Sequence, residues 1–225
     1  MIFQLLLAVT PGLAIAWFIY RIDKYEREKF LPLTIAFFTG ALITLPVMEA
    51  QKWFFIMGWE QSASLLPALF VSFVLVSIPE ETVKFLALLF SSAYKRHFNE
   101  PLDGIVYSVM ISMGFATLEN IYYALEFGMP TTALRALTAV PAHAVFAAMM
   151  GYYVGKATFQ TPKKRLLRFK GWALAVTVHG IYDFFIIQEI YDALALLAIV
   201  TLTISLFFAF KLIREGQEAS PFRKE

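Results

Sequence analysis

A chain of 225 residues with 59% apolar side chains, 23 Phe and a mean hydropathy of +0.66 lies outside the range of a soluble globular domain, where about 45–50% of residues are apolar. The lack of cysteine excludes a disulfide framework, a thiolate metal site and a cysteine nucleophile. A net charge of +2 gives no electrostatic footprint for nucleic acid, and the composition is that of an all-α, polytopic membrane protein.

A hydrocarbon core of about 30 Å takes roughly 20 apolar residues per helix, and by that measure the chain carries about seven spans. The first, about 2 to 20, lacks the basic start and small-residue cleavage site of a secretory signal, so it reads as a retained span. The second covers about 31 to 51. The third, about 64 to 93, would extend roughly 45 Å as a straight helix, more than the core needs, so a bend is expected at Pro79. The fourth and fifth cover about 104 to 126 and 132 to 155. The sixth and seventh, about 170 to 188 and 191 to 210, are joined so closely that they read as a tight helical hairpin. Residues 1–215 form one transmembrane bundle in this reading and 216–225 a short polar cytoplasmic tail.

Charge sets the direction. Cytoplasmic loops collect Lys and Arg, and of the nineteen present, sixteen fall in the first, third and fifth loops and the tail. Only Lys52 and Arg135 fall on the opposite side, and Lys84 lies within a span. An N-terminus outside and a C-terminus in the cytoplasm are therefore expected. The basic stretch from Lys163 to Lys170 is suited to anionic lipid headgroups.

Seven ionisable residues interrupt the apolar runs. SIPEETVKF places Glu80, Glu81 and Lys84 in the third span. Proline suits the first position of a helical segment, the helix dipole favours the glutamates just behind it, and Glu80 and Lys84, four apart, share a face. Glu119 lies in FATLEN, His143 in PAHAVF, and His179 and Asp183 sit four apart in HGIYD. An ionisable group at the bilayer centre costs about 2.5–3.5 kcal/mol. Single polar residues often act as interhelical contacts worth about 0.6 kcal/mol, which would suffice for Glu119 or His143 alone. Close helix packing suffices for Gly151 and Gly155, interfacial placement for Glu49 and solvation for His97. Carboxylates and imidazoles spread over four spans at compatible depths instead point to acid–base chemistry or a metal site.

EETVK, FATLE, His143 in PAHAVFAAMMG, and HGIYD resemble, in order and spacing, the four motifs of the PrsW-type intramembrane proteases. That family is a branch of the group that includes CAAX prenyl proteases and bacteriocin-processing enzymes. The likeness runs from Thr10 to about residue 187, through LDGIVYSVMISMGFATLEN and MMGYYVGKATF. It implies a multi-pass protease of the bacterial cell membrane that makes the first, extracytoplasmic-side cut in a single-span anti-sigma factor, starting release of a sigma factor in envelope stress.

By the same resemblance Glu80 is the general base and Glu81 orients Lys84 or a polar neighbour. By analogy with the CAAX branch, His179 and Asp183 polarise the scissile carbonyl and steady the oxyanion; Glu119 stands where that branch usually has a histidine. Two mechanisms fit these residues. In one, zinc is held by His143, His179 and either Glu119 or Asp183, since three protein ligands and an open position are usual for catalytic zinc; in the other, glutamate and histidine activate water without metal. Two other classes share such residues. A proton-coupled transporter would use a broken helix as at Pro79, but the chain shows no twofold repeat. A non-catalytic membrane adaptor would have no need of both glutamates and His179.

Overall fold

The computed structural model describes residues 1–59, 64–90, 97–159 and 162–223. Apolar side chains and a backbone that must satisfy its own hydrogen bonds in lipid leave the α-helix as the economical solution, and every extended element among the described residues is helical. The helices are α1 (Ile2–Ile22), α2 (Phe30–Ile56), α3 (Leu65–Leu69), α4 (Ile78–Phe90), α5 (Pro101–Leu137), α6 (Ala139–Phe159), α7 (Lys164–Ile187) and α8 (Leu196–Glu218). Among the described residues, four helical segments are long and apolar enough to cross a membrane: Ile2–Ile22, Phe30–Ile56, Pro101–Phe159 and Asp192–Glu218. The last helix ends at Glu218, past the expected tail boundary at 215.

Two details add to the sequence reading. Between α3 and α4 the chain does not break at Pro79; Phe70–Ser77 is a π-helical stretch that runs straight into α4, with Ile78 N–H bonded to Phe73 O five residues back. The fourth and fifth expected spans are separated by a reversal at Gly128, whose φ of 80° interrupts α5. Glycine adopts that conformation without a Cβ clash. Beyond it the chain runs antiparallel to its first leg: Gly104 faces Gly151 and Gly155, Ser112 Oγ donates to His143 O at 2.9 Å, and Glu119 meets Arg135.

The first leg of α5 is the axis of the bundle. Every residue from Leu102 to Thr117 is buried, as a helix that is apolar all round must be. A Cβ on Gly151 would run into the backbone of Gly104 and Ile105; such small-residue crossings let transmembrane helices approach closely. Helices α1 and α2 pack on the other sides of α5, with Asn120 Nδ2 donating to Ala8 O at 3.1 Å and Gln4 Nε2 donating to Ala124 O. Phe38 and Leu42 of α2 and Ile204 and Phe207 of α8 face outward. Helices α7 and α8 form the expected hairpin. Gln188 Oε1 accepts from Ile190 N–H and Tyr191 N–H at 3.0 and 3.1 Å and so shapes the connection.

The α1–α2 connection is buried against the start of α5. Asp23 Oδ2 accepts from Glu28 N–H at 2.8 Å, and Tyr107 donates its hydroxyl to Glu28 Oε2 at 2.5 Å. Burial pushes the Asp23 carboxyl up to about 6 and that of Glu28 up to about 7.

Candidate active site

The first turn of α4 aims its motif inward, where Glu80, Glu81 and Lys84 are each at most 3% exposed. The Lys84 ammonium donates to Glu81 Oε1 at 2.8 Å and Glu80 Oε2 at 3.3 Å, as their i,i+3 and i,i+4 spacing on one helix face allows. It also lies 3.0 Å from His143 Nδ1 on α6 and 4.2 Å above the centre of the Phe115 ring on α5. Gln51 of α2 donates to Glu80 Oε1 at 3.0 Å, and Trp172 of α7 donates to Thr82 Oγ1 at 3.0 Å, tying α4 to a second neighbour.

Both histidines are held from behind by a carboxylate. His143 Nε2 lies 3.0 Å from Glu119 Oε2, and His179 Nε2 lies 3.1 Å from Asp183 Oδ2. Their other nitrogens point into the cluster, His143 Nδ1 at Lys84 and His179 Nδ1 at Glu81 Oε1, 2.9 Å away. An ammonium only donates, so His143 Nδ1 is the acceptor and Nε2 carries the proton given to Glu119. The imidazoles meet edge to face at 5.2 Å, and Phe146 stacks on His179 at 4.8 Å. Carboxylates behind ring nitrogens commonly fix the tautomer and orientation of metal-binding histidines.

The residues fit a metal. Glu80, Glu81, His143 and His179 are all buried, and one ligand atom from each lies within 4.8 Å of the others. Glu81 Oε2 is buried with no hydrogen-bond partner, an orphan that a cation would satisfy. Glu80, Glu81, Glu119 and Asp183 bring four formal negative charges against the two positive ones of Lys84 and Arg135. Two charges are left for the imidazoles or a bound cation to balance, and buried charge without a partner is costly.

All seven residues expected from the sequence lie in this one network. Within it Glu119 and Asp183, the alternative third zinc ligands of the sequence reading, stand behind His143 and His179, and both glutamates of α4 join the converging donors. Two further participants were not expected. Gln51 carries a weak signal as a polar residue at the end of an apolar span. Arg135, counted above among loop charges, turns inward after Gly128 to place Nη2 2.8 Å from Glu119 Oε2 and its guanidinium 3.8 Å from the centre of the Tyr123 ring. Glu49 is exposed, away from the cluster.

A helical membrane bundle enclosing carboxylates and imidazoles set up for proton transfer and metal binding has the equipment of an intramembrane hydrolase. Residues 28–211 match the family described as PrsW family intramembrane metalloprotease, and the chain belongs to that family. It is 36% identical to Protease PrsW of Geobacillus kaustophilus (strain HTA426) over 181 residues, 80% of this chain and 78% of that one. It is 36% identical to Protease PrsW of Bacillus subtilis (strain 168) over 180 residues, 78% and 79% of the two chains. The likeness to Protease PrsW of Clostridioides difficile (strain 630) is 34% over 204 residues, 86% and 83% of the chains. No solved structure matches the chain. The protein is thus a membrane-embedded peptidase of the metalloprotease type.

Proposed function

We propose that this peptidase makes the first, extracytoplasmic-side cut in a membrane-anchored anti-sigma factor, with Glu80 as the base that accepts the proton of the attacking water. One observation carries the catalytic assignment: two buried imidazoles, each held from behind by a carboxylate, turn their Nδ1 atoms onto the polar turn of α4, His143 to Lys84 and His179 to Glu81. The substrate class follows from the family resemblance. The topology that goes with it has seven spans, the N-terminus outside and the C-terminus in the cytoplasm, as the distribution of Lys and Arg indicates.

Under this reading His143 Nδ1, His179 Nδ1 and Glu81 are the residues that would hold a zinc ion, with Glu119 and Asp183 orienting the two rings. Bound there, the metal supplies Lewis-acid polarisation of the scissile carbonyl. Glu80 is fixed on both oxygens, by Gln51 and by Lys84, so its reach is set before substrate arrives. It takes one proton from water as the C–O bond forms and returns it to the amide nitrogen as the C–N bond breaks. Burial of the cluster excludes bulk water, which strengthens every electrostatic interaction inside it.

The test is cleavage of a membrane-anchored anti-sigma factor in liposomes by wild type and by Glu80→Gln, with fragment masses read by mass spectrometry. A cut on the extracytoplasmic side that the variant fails to make supports the assignment. Equal cleavage by both removes Glu80 from the role of base. Cleavage by wild type that persists after chelation, in protein shown to be metal-free, removes the zinc.

A further inference from the structure

The Lys84 ammonium lies against the converging donors. It lies 2.8 Å from Glu81 Oε1, 3.3 Å from Glu80 Oε2 and 3.0 Å from His143 Nδ1, three of the four residues whose ligand atoms cluster. Zinc–oxygen and zinc–nitrogen bonds are about 2.0–2.2 Å, so an ion bound by these donors must sit inside the volume the ammonium now fills. The two positive groups cannot share it. The place is also shaped for a tethered cation: the Phe115 ring lies 4.2 Å beneath Nζ, presenting the negative face of its π-system, and the residue is 3% exposed.

We propose that Lys84 is a built-in place-holder: its side chain supplies the positive charge of the metal site while no metal is bound, and turns aside when the metal enters. Adjacent Glu80 and Glu81 are buried at 1% exposure each, and without a cation between them the metal-free bundle would hold two carboxylates at close range with little to offset their repulsion. The ammonium therefore stabilises the empty site and, by the same contacts, competes with the ion for it. The place-holder role rests on the reading of this cluster as a metal centre. It assigns Lys84 a part in loading that is separate from any step in peptide hydrolysis.

The experiment uses the full chain purified in detergent, with Zn²⁺ alone as the probe. Zinc affinity is measured by competition with a chromophoric chelator, and thermal stability is measured with and without zinc, for wild type, Lys84→Met and Lys84→Arg. Lys84→Met is expected to bind zinc at least tenfold more tightly than wild type, to melt lower without metal, and to gain more from zinc than wild type does. Lys84→Arg, which keeps the charge, is expected to show no gain in affinity. If Lys84→Met does not fold, the Glu80→Gln/Lys84→Met pair removes the exposed repulsion together with the cation, and is compared with Glu80→Gln alone. Zinc binding by wild type as tight as, or tighter than, that of Lys84→Met overturns the place-holder and leaves the metal centre standing. Absence of zinc binding in both overturns the metal centre and the place-holder with it.

Discussion

Replacing Asp183 with alanine removes the carboxylate behind His179, whose Nε2 lies 3.1 Å from Asp183 Oδ2 while Nδ1 faces Glu81. The ring is 3% exposed, and a water entering the space that Asp183 leaves is a weaker acceptor than a carboxylate. Nδ1 already donates to Glu81 Oε1 at 2.9 Å, and without Asp183 to hold Nε2–H the ring keeps its proton on Nδ1, so the nitrogen meant for the metal is not freed. Loss of such an orienting carboxylate commonly costs 10–100-fold in metal affinity, or about 1.4–2.8 kcal/mol. Asp183→Asn keeps a carbonyl oxygen within reach of Nε2–H and should fall between wild type and Asp183→Ala. The assay is zinc affinity by chelator competition on purified protein, with thermal stability recorded alongside to separate a lost orientation from a lost fold. Asp183→Ala protein with wild-type stability and zinc affinity within twofold of wild type would refute the reasoning. The ring would then be held by its stacking on Phe146, 4.8 Å away, and not by the carboxylate.

Removing the cation from the outer ion pair, Arg135→Met, leaves Glu119 with His143 alone and should cost about 3 kcal/mol in stability; adding Glu119→Gln should recover part of that loss in a double-mutant cycle, and strict additivity would mean the pair is not coupled. Gly151→Ala places a methyl against the backbone of Gly104 and Ile105 and is expected to destabilise by about 1–3 kcal/mol, measured by denaturant unfolding in mixed micelles; wild-type stability would show that α5 and α6 do not cross there. Asp23 and Glu28 have folded-state values of about 6 and about 7, both above the ordinary carboxylate range. At these two groups the folded state therefore binds more protons than the unfolded one, and their contribution to stability should fall as pH rises from about 4 to 7. The Asp23→Asn/Glu28→Gln variant should flatten that slope in a melting-temperature series, and an unchanged slope would place its origin elsewhere.

The apolar runs and the ionisable residues set within them were readable because lipid makes both signals loud: long runs without charge form helices, and a buried charge there is too costly to lack a partner. What stayed hidden depended on the path of the chain. Arg135 reads as a loop charge because its distance along the sequence from the fourth span says nothing of the reversal at Gly128 that carries it back over Glu119. Gln51 reads as the end of a helix, and only the packing of α2 on α4 brings it to Glu80, 29 residues on. The division of the site residues was hidden for a different reason. Spacing shows that His179 and Asp183 share a face, but which ring nitrogen meets which carboxylate is decided by helix orientation. The π-helical stretch left no trace, because FVSFVLVS is apolar apart from Ser72 and Ser77 and has no polar stripe whose phase could shift.

That stretch and Pro79 explain why the glutamates of α4 face the bundle. A proline contributes no N–H to the helix, so the carbonyls one turn earlier lose a donor, in a helix where lipid offers no replacement. Phe70–Ser77 widens to bonds reaching five residues back, as Ile78 N–H does to Phe73 O, and single π-type insertions of this kind are frequent at functional sites. The wider turn changes the angle at which the following residues leave the helix, and so sets the direction of Glu80 and Glu81 relative to the lipid-facing residues before them. Gln51 acts on both sides of this irregularity, with its Nε2 3.0 Å from Glu80 Oε1 and 3.5 Å from Leu75 O, four residues before the proline. One side-chain amide thus meets a backbone carbonyl near the proline and fixes the carboxylate proposed as the base. The helical defect and the catalytic geometry are therefore one feature, which places a charged helical turn in the interior of an otherwise apolar run.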